Sequence, residues 1–288
     1  MKANILIGIL CLLSACRVGA LEVIDDEGQL VKLMAPAQRI ISLAPHITEN
    51  LFSSGAGAQV VGAVDYSNFP EEALSIKSIG SYRAFNFETI LSLNPDLIIA
   101  WRSGNGDEKI SRLKALGLTV YVEDPKKLED VASSIKNFGV LSGHDAEAER
   151  AGEAYLQTLA KLRVSYAEQS PVSVFYQVWN DPMQTLNDEH LISDVIRLCG
   201  GRNVFGNAKS LAPHINVEGV IAANPEVIIA SGMGESRPEW LDEWRRWPAI
   251  QAVRNKHLYF IDPNHLQRHT GRILQGAQTL CEQLQRVR

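Results

Sequence analysis

Short apolar runs of strand length alternate with longer amphipathic segments along the first half of the chain. The pattern predicts a β-hairpin over 21–33, strands at 39–44, 60–64, 97–100 and 119–122, and helices at 48–54, 87–93 and 108–116. Alternation of strands and helices at this spacing indicates parallel sheets covered by helices on both faces. The expected fold class is therefore α/β.

An internal repeat extends this pattern to the second half of the chain. Residues 87–104 align with residues 217–234, and seven of the 18 aligned positions are identical. Each copy predicts a helix, an Asn-Pro stop and then a buried strand. The repeat therefore predicts two lobes of related, Rossmann-like build.

The segment between the two copies is rich in good helix formers. Residues 145–169 contain no proline and a single glycine, Gly152. A continuous helix of this length would span about 37 Å, and it would hold two lobes at a nearly fixed separation with a ligand cleft between them. The expected organisation is a first lobe over 21–143, a rigid connecting helix over 144–170 and a second lobe over 171–288.

The first 20 residues have the features of a secretory signal peptide. Lys2 supplies a positive charge, residues 3–13 are apolar, and small residues follow at 18–20. Residues 13–16 also resemble a lipobox, which would place a lipid anchor on Cys16. Because strand-like sequence begins at Leu21 and leaves little room for a tether, cleavage after Ala20 and export without an anchor is the favoured interpretation.

Composition and cysteine content narrow the function classes. The 288 residues carry a formal net charge of −5, so no basic surplus favours a nucleic-acid partner. Cys199 and Cys281 are the two cysteines outside the signal segment. In an oxidising compartment such a pair is most simply a disulfide, and two buried thiols are the alternative.

No local motif selects a catalytic site. The sequence contains no phosphate-binding loop, no Gly-x-Ser-x-Gly and no His-Glu-x-x-His. His265 and His269 stand four residues apart, and with His46 and Glu49 they are candidate metal ligands; the alternative is that they are polar residues beside a cleft. We therefore predict no catalytic residue, no resident metal or cofactor, and no enzymatic activity.

Aromatic residues follow several of the predicted strands. They fall in or beside loops at strand carboxyl ends, where open α/β sheets bind ligands; they are Tyr66, Tyr82, Trp101 and Trp179. Four aromatic side chains at one edge of two lobes would suit a large planar ligand.

Together these features resemble the helix-linked substrate-binding proteins of bacterial importers, and most of all their cobalamin-binding members. The matching segments are 39–45 with Thr48 and Glu49, 61–70, 86–88, 94–105, 199–205 and 280–281. The 39–45 strand and the Asn-Pro repeat are general to the family. The Tyr66 loop and the stretch 100–105 are more typical of the cobalamin-binding members.

The resemblance implies a monomeric periplasmic receptor that captures cobalamin and delivers it to the permease of an inner-membrane ABC importer, which also contains ATPase subunits. It implies ligand contacts from the 66 and 101 positions and from one second-lobe segment, namely Tyr66, Trp101, Asn264, His265, Leu266, Gln267 and Arg268; Tyr82 and Trp179 complete the predicted set. It also implies a Cys199–Cys281 disulfide and transporter docking through Glu88 and Glu218.

Three alternatives remain at this level. Departures from the cobalamin pattern occur at Tyr82, Ala212 and residues 265–266, so a haem or ferric-siderophore receptor of the same fold is the nearest rival. Haem would favour iron ligation by His46, His265 or Tyr66, whereas a siderophore would require an arginine cluster such as Arg83, Arg102 and Arg268. A metal-dependent periplasmic enzyme is the remote alternative.

Overall fold

The computed structural model describes residues 20–232 and 236–288, so the predicted signal segment up to residue 19 lies outside the described residues. The first part of the chain forms β1 (Leu21–Ile24), β2 (Leu30–Leu33), β3 (Ile40–Ser42), α1 (Pro45–Ser53), β4 (Val60–Ala63), β5 (Gly80–Ser81), β6 (Ala84–Phe85), α2 (Phe87–Ser92), β7 (Leu97–Trp101), α3 (Arg102–Asn105), α4 (Asp107–Ala115) and β8 (Val120–Glu123). Four of these strands form a parallel sheet in the order β4-β3-β7-β8.

Both faces of this sheet are buried, as expected for parallel strands in an α/β fold. Neighbouring residues of β3 illustrate the alternation, because Ile40 packs into one apolar cluster and Ile41 into the cluster on the opposite face. The predicted β-hairpin is also present, with β1 and β2 paired antiparallel. Together these elements form the first α/β lobe.

Two antiparallel helices follow, α5 (Leu128–Ser142) and α6 (Asp145–Ser165). The sequence predicted only the second, and α6 ends four residues earlier than expected, so it spans about 31 Å. Apolar residues at the start of α5, such as Leu128 and Val131, pack into the core of the second lobe. Phe138, near the end of α5, packs into the core of the first. The connection between the lobes is therefore a helical pair, and α5 contributes to both cores.

The second lobe repeats the parallel architecture. Its elements are β9 (Val172–Gln177), β10 (Trp179–Asn180), β11 (Met183–Gln184), α7 (Leu191–Leu198), β12 (Gly201–Asn203), α8 (Val217–Ala223), β13 (Val227–Ala230), α9 (Gln251–Arg254), β14 (Leu258–Phe260), α10 (Pro263–Leu266) and α11 (Ile273–Gln285). The sheet order is β12-β9-β13-β14, again all parallel. The α/β class with two parallel-sheet lobes is therefore confirmed.

A disulfide fixes the last helix to the second lobe. Cys199, directly after α7, is bonded to Cys281 in α11, and both side chains are fully buried. This confirms the disulfide and excludes the alternative of two free thiols. No helix within residues 20–232 or 236–288 is long and apolar enough to cross a membrane.

Candidate functional site

A cleft of about 1060 Å³, part of it open to solvent, lies between the two lobes. Both lobes line it, through Pro45, His46, Tyr66, Asn68, Tyr82 and Trp101 on one side and Pro263, Asn264, Gln267 and Arg268 on the other. The structure thus brings six of the nine predicted ligand-binding residues together in one place. The first-lobe residues come from the carboxyl end of its sheet, where the sequence placed them.

Tyr66 projects into the cleft from the loop after β4. Its ring is displayed to solvent, with 76% of the residue exposed. The backbone adopts a φ of 65°, a left-handed conformation that is unfavourable for a bulky residue. Such strain is concentrated where the surrounding structure fixes a residue for function, and here it presents a large apolar surface to the cleft.

Asn105 positions the other two aromatic side chains of this wall. Trp101 ends β7 and its ring centroid lies 5.9 Å from that of Tyr82. The buried amide of Asn105 accepts a hydrogen bond from the Trp101 backbone N–H at 2.7 Å and donates to the carbonyl oxygens of Tyr82 and Leu43, each at 2.9 Å. One side chain therefore sets the relative position of both aromatic residues.

The second-lobe wall is built around the short helix α10. Asp262 caps this helix by accepting a hydrogen bond from the Asn264 backbone N–H at 2.8 Å. Gln267 donates to the Ser231 carbonyl oxygen. Arg268 donates across the cleft to the Tyr66 carbonyl oxygen at 3.1 Å and to Oδ1 of Asn68 at 2.7 Å. This arginine therefore ties the two walls together at one side of the cleft.

Three predicted contact residues lie elsewhere. Leu266 is fully buried in the core of the second lobe, and we correct its assignment because its side chain packs inward from α10. Within the described part of the chain, His265 and Trp179 are not among the residues that line the cleft. Trp179 lies on the β10–β11 hairpin and donates from Nε1 to the Asp181 carbonyl oxygen at 2.8 Å.

A buried cluster of imidazoles lies beneath the cleft, at the junction of the lobes. The ring of His269 lies 4.9 Å from that of His46 and 5.7 Å from that of His190. Burial, and then the proximity of the other two histidines, holds the pKa of His269 well below its usual value. Burial also lowers the pKa of His190 to about 4. At neutral pH both side chains are therefore uncharged.

Two of the candidate metal ligands, Glu49 and His46, are paired with other side chains. Glu49, in α1, forms a two-pronged ion pair with Arg272 of the second lobe, with distances of 2.7 and 2.5 Å. His46 Nε2 lies 2.7 Å from Oε1 of Glu123. No group of three or more histidine, cysteine or acidic residues in the described ranges has an arrangement suited to a metal ion. The geometry gives no support to a metal centre built on His46, Glu49, His265 and His269.

The arginines proposed for a siderophore are not gathered in the cleft. Arg268 lines it. Arg102 instead pairs with Asp107 at 3.1 Å, and Arg83 packs over the Tyr82 ring at 5.4 Å from its centroid. A cluster of three cationic groups facing one ligand is therefore not formed by these residues.

Glu88 and Glu218 occupy equivalent positions in the two lobes. Each is exposed and is the second residue of a short helix, α2 or α8. An asparagine caps each helix in the same way: Asn86 accepts from the Thr89 N–H and Asn216 from the Gly219 N–H, both at 2.9 Å. The internal repeat is thus real in three dimensions and presents two matching carboxylates.

Comparisons with known proteins agree with this architecture. A family model described as "Periplasmic binding protein" matches residues 40–265. A vitamin B12-binding protein of Vibrio cholerae serotype O1 is 35% identical over 250 residues, which cover 86% of this chain and 90% of that protein.

Solved structures extend the likeness to three dimensions. The periplasmic vitamin B12-binding protein BtuF of Vibrio cholerae superimposes with a TM-score of 0.81 at 34% identity, covering 88% of this chain and 98% of that one. The periplasmic heme-binding protein RhuT from Roseiflexus sp. RS-1 gives a TM-score of 0.76 at 25% identity, covering 87% and 99%. The extent of these matches, together with the two lobes and the cleft between them, shows that the chain belongs to the periplasmic binding protein family.

Proposed function

We propose that this chain is the periplasmic receptor of an ABC importer, that it captures cobalamin in the cleft between its lobes, and that it hands the ligand to the membrane permease. It makes and breaks no covalent bond, and cobalamin is its cargo. The relatives named for vitamin B12 binding support this ligand. The proposed contact set is Tyr66, Tyr82, Trp101, Asn264, Gln267 and Arg268.

The observation that carries the proposal is the aromatic wall of a large cleft. Three aromatic side chains, Tyr66, Tyr82 and Trp101, line one lobe's side, and polar side chains line the other. A corrin is a wide macrocycle with an apolar face and a rim of polar side chains. Aromatic rings bury such a face effectively, while a few polar groups fix its orientation.

Isothermal titration of purified residues 21–288 tests the ligand. Cyanocobalamin, haem and a ferric siderophore are titrated in parallel into the same preparation. We expect one-to-one binding of cyanocobalamin at micromolar affinity or tighter, about −8 kcal/mol. Saturation by haem or by the siderophore without a response to cobalamin would retain the fold and replace the ligand.

A variant of the aromatic wall locates the binding site in the same assay. Trp101→Ala removes a partly buried ring from the cleft, and loss of such an anchor costs about 2 kcal/mol or more, or about thirtyfold in Kd. Trp247→Phe is the control, because Trp247 packs against an apolar cluster of the second lobe and is not among the residues that line the cleft. Equal affinities for wild type and Trp101→Ala would contradict the assignment.

We propose further that Glu88 and Glu218 dock the receptor on the permease. Two exposed carboxylates at equivalent helix positions can meet cationic pockets on a two-fold transporter. Cobalamin uptake by vesicles that contain the permease and ATPase subunits should fall sharply for Glu88→Ala combined with Glu218→Ala. Glu108→Ala is the matched control, because Glu108 is also exposed and is the second residue of a helix, α4. Unchanged uptake by the double variant would exclude this docking mode.

A further inference from the structure

Glu123 places a buried carboxylate under the floor of the cleft. It is the last residue of β8, and its side chain is fully inaccessible to solvent. Apart from the contact with His46, no group in the described part of the chain donates a hydrogen bond to either carboxylate oxygen. The close polar neighbour is His46, whose Nε2 lies 2.7 Å from Oε1. A buried acceptor with so few donors is costly, so this arrangement requires an explanation.

The other charged and titratable groups near His46 are engaged with different partners or held neutral. Arg272 is paired with Glu49, and Arg268, which lines the same cleft as His46, donates to the Tyr66 carbonyl oxygen and to Oδ1 of Asn68. His269 is held neutral by burial. Nδ1 of His190 accepts a hydrogen bond from the Ile192 backbone N–H at 3.1 Å, which a doubly protonated ring could not do. Neither His190 nor His269 therefore adds a positive charge beside His46.

His46 connects this carboxylate to the ligand space. The same side chain that faces Glu123 through Nε2 also lines the cleft. When Nε2 carries the proton that faces a carboxylate, the electron pair of a neutral imidazole is on Nδ1. A ligand group that meets this floor is therefore best accommodated if it brings a hydrogen to donate.

We propose that the His46–Glu123 pair makes the cleft selective for a ligand that presents a primary carboxamide at this floor, and that it rejects the corresponding carboxylate. This inference rests on the proposed function and defines the chemistry of that site more closely. A carboxamide donates N–H to the imidazole. A carboxylate has no hydrogen to donate and adds a second negative charge near a buried one, where repulsion is weakly screened. The rim of the corrin in cobalamin carries such carboxamides.

Single-atom changes in the ligand test this selectivity. The b-, d- and e-monocarboxylic acids of cyanocobalamin each replace one propionamide with a carboxylate. Their affinities for purified residues 21–288 are measured by isothermal titration at neutral pH beside that of cyanocobalamin. For wild type we expect at least one acid to bind about tenfold or more weakly than the parent. Acids that all bind within about threefold of the parent would overturn the inference.

Protein variants then assign the selectivity to Glu123. Glu123→Gln removes the charge and keeps the shape, and it should reduce the discrimination between the parent and the rejected acid to about threefold or less. Glu123→Leu removes the charge without an amide and provides a second test if the first variant does not fold. Tyr66→Ala is the control, since it should weaken all four ligands by a similar factor. Discrimination that persists in both Glu123 variants would overturn the inference.

The same data separate the two proposals. Binding of cyanocobalamin to wild type tests the proposed function, and the ratio between acid and amide tests the selectivity. Tight binding of cyanocobalamin with no discrimination would leave the proposed function intact and refute the role of the His46–Glu123 pair. No binding of any of the four corrinoids would refute both.

Discussion

Single buried polar residues set the geometry of the cleft. Asn105 is 1% exposed and joins three backbone groups that belong to the Leu43, Tyr82 and Trp101 segments. A buried amide with all these partners is stabilising, whereas its loss leaves each partner unsatisfied at about 1–3 kcal/mol. The aromatic wall therefore depends on a residue that contributes no aromatic surface.

We predict that Asn105→Ala weakens cobalamin binding by roughly tenfold, because Tyr82 and Trp101 lose their common support, and that it lowers the unfolding free energy by about 2–4 kcal/mol. Titration calorimetry and urea denaturation measure the two effects. Asn137→Ala is the control: its side chain donates to the Tyr121 hydroxyl at 2.9 Å, away from the cleft, so it should lower stability and leave affinity unchanged. Undiminished affinity in Asn105→Ala would contradict the positioning role.

For single residues, the sequence indicates which loop or helix a side chain belongs to better than it indicates which way that side chain faces. Tyr66 and Trp101 could be predicted to face the cleft because they follow parallel strands at the ligand edge of the sheet. Leu266 could not be excluded, because one residue along a helical turn decides whether a side chain faces the cleft or the core. Glu123 and His190 were missed because each meets its partner only in the folded chain: Glu123 faces His46, and the ring of His190 lies against that of His269.

The helical pair α5–α6 is the element on which the lobe arrangement depends. Helix α6 could be predicted from its long run of helix formers, whereas the shorter α5 escaped because its apolar residues serve two different cores. The domain boundaries at 143 and 170 remain a prediction. The two helices approach closely at Gly139, where an added Cβ would overlap the Cβ of Ala148.

We predict that Gly139→Ala lowers the unfolding free energy by about 1–2 kcal/mol, even though alanine favours a helix by about 1 kcal/mol over glycine, because overpacking at a close helix crossing costs more. Chemical denaturation of both proteins gives this difference. In Gly271→Ala, an added Cβ meets no described atom within 4 Å, so stability should change by less than about 0.5 kcal/mol. A Gly139→Ala protein as stable as wild type would show that the helices can separate freely.

On the scale of the whole molecule, polar contacts as well as α5 hold the lobes together. The Glu49–Arg272 ion pair crosses the junction, and the Asn50 side chain donates to the His269 carbonyl oxygen at 2.9 Å. The buried imidazoles lie in the same junction. These contacts form only when both lobes are in place. Because the imidazoles lie among them, protonation of His269 is coupled to the arrangement of the lobes.

The folded chain should therefore become less stable in acid through His269. Its pKa is depressed by burial, so below the ordinary value of 6.5 the unfolded chain binds a proton that the folded chain does not. Stability present above pH 6.5 is lost as the pH falls below that value. Between pH 7.5 and pH 5, wild type should lose up to about 2 kcal/mol more unfolding free energy than His269→Gln.

Urea denaturation at the two pH values measures this difference. His214→Gln is the control, because His214 is exposed and should behave like wild type. Equal acid losses in wild type and His269→Gln would show that the junction histidine does not govern the pH dependence.

The most direct test of the proposed function is the structure of the chain crystallised with cyanocobalamin. The corrin should lie between the lobes, with a face or edge against Tyr66, Tyr82 and Trp101 and its rim near Gln267 and Arg268. The Glu49–Arg272 ion pair should remain formed. A cleft that stays empty at saturating ligand, or cobalamin bound elsewhere on the surface, would contradict the proposal.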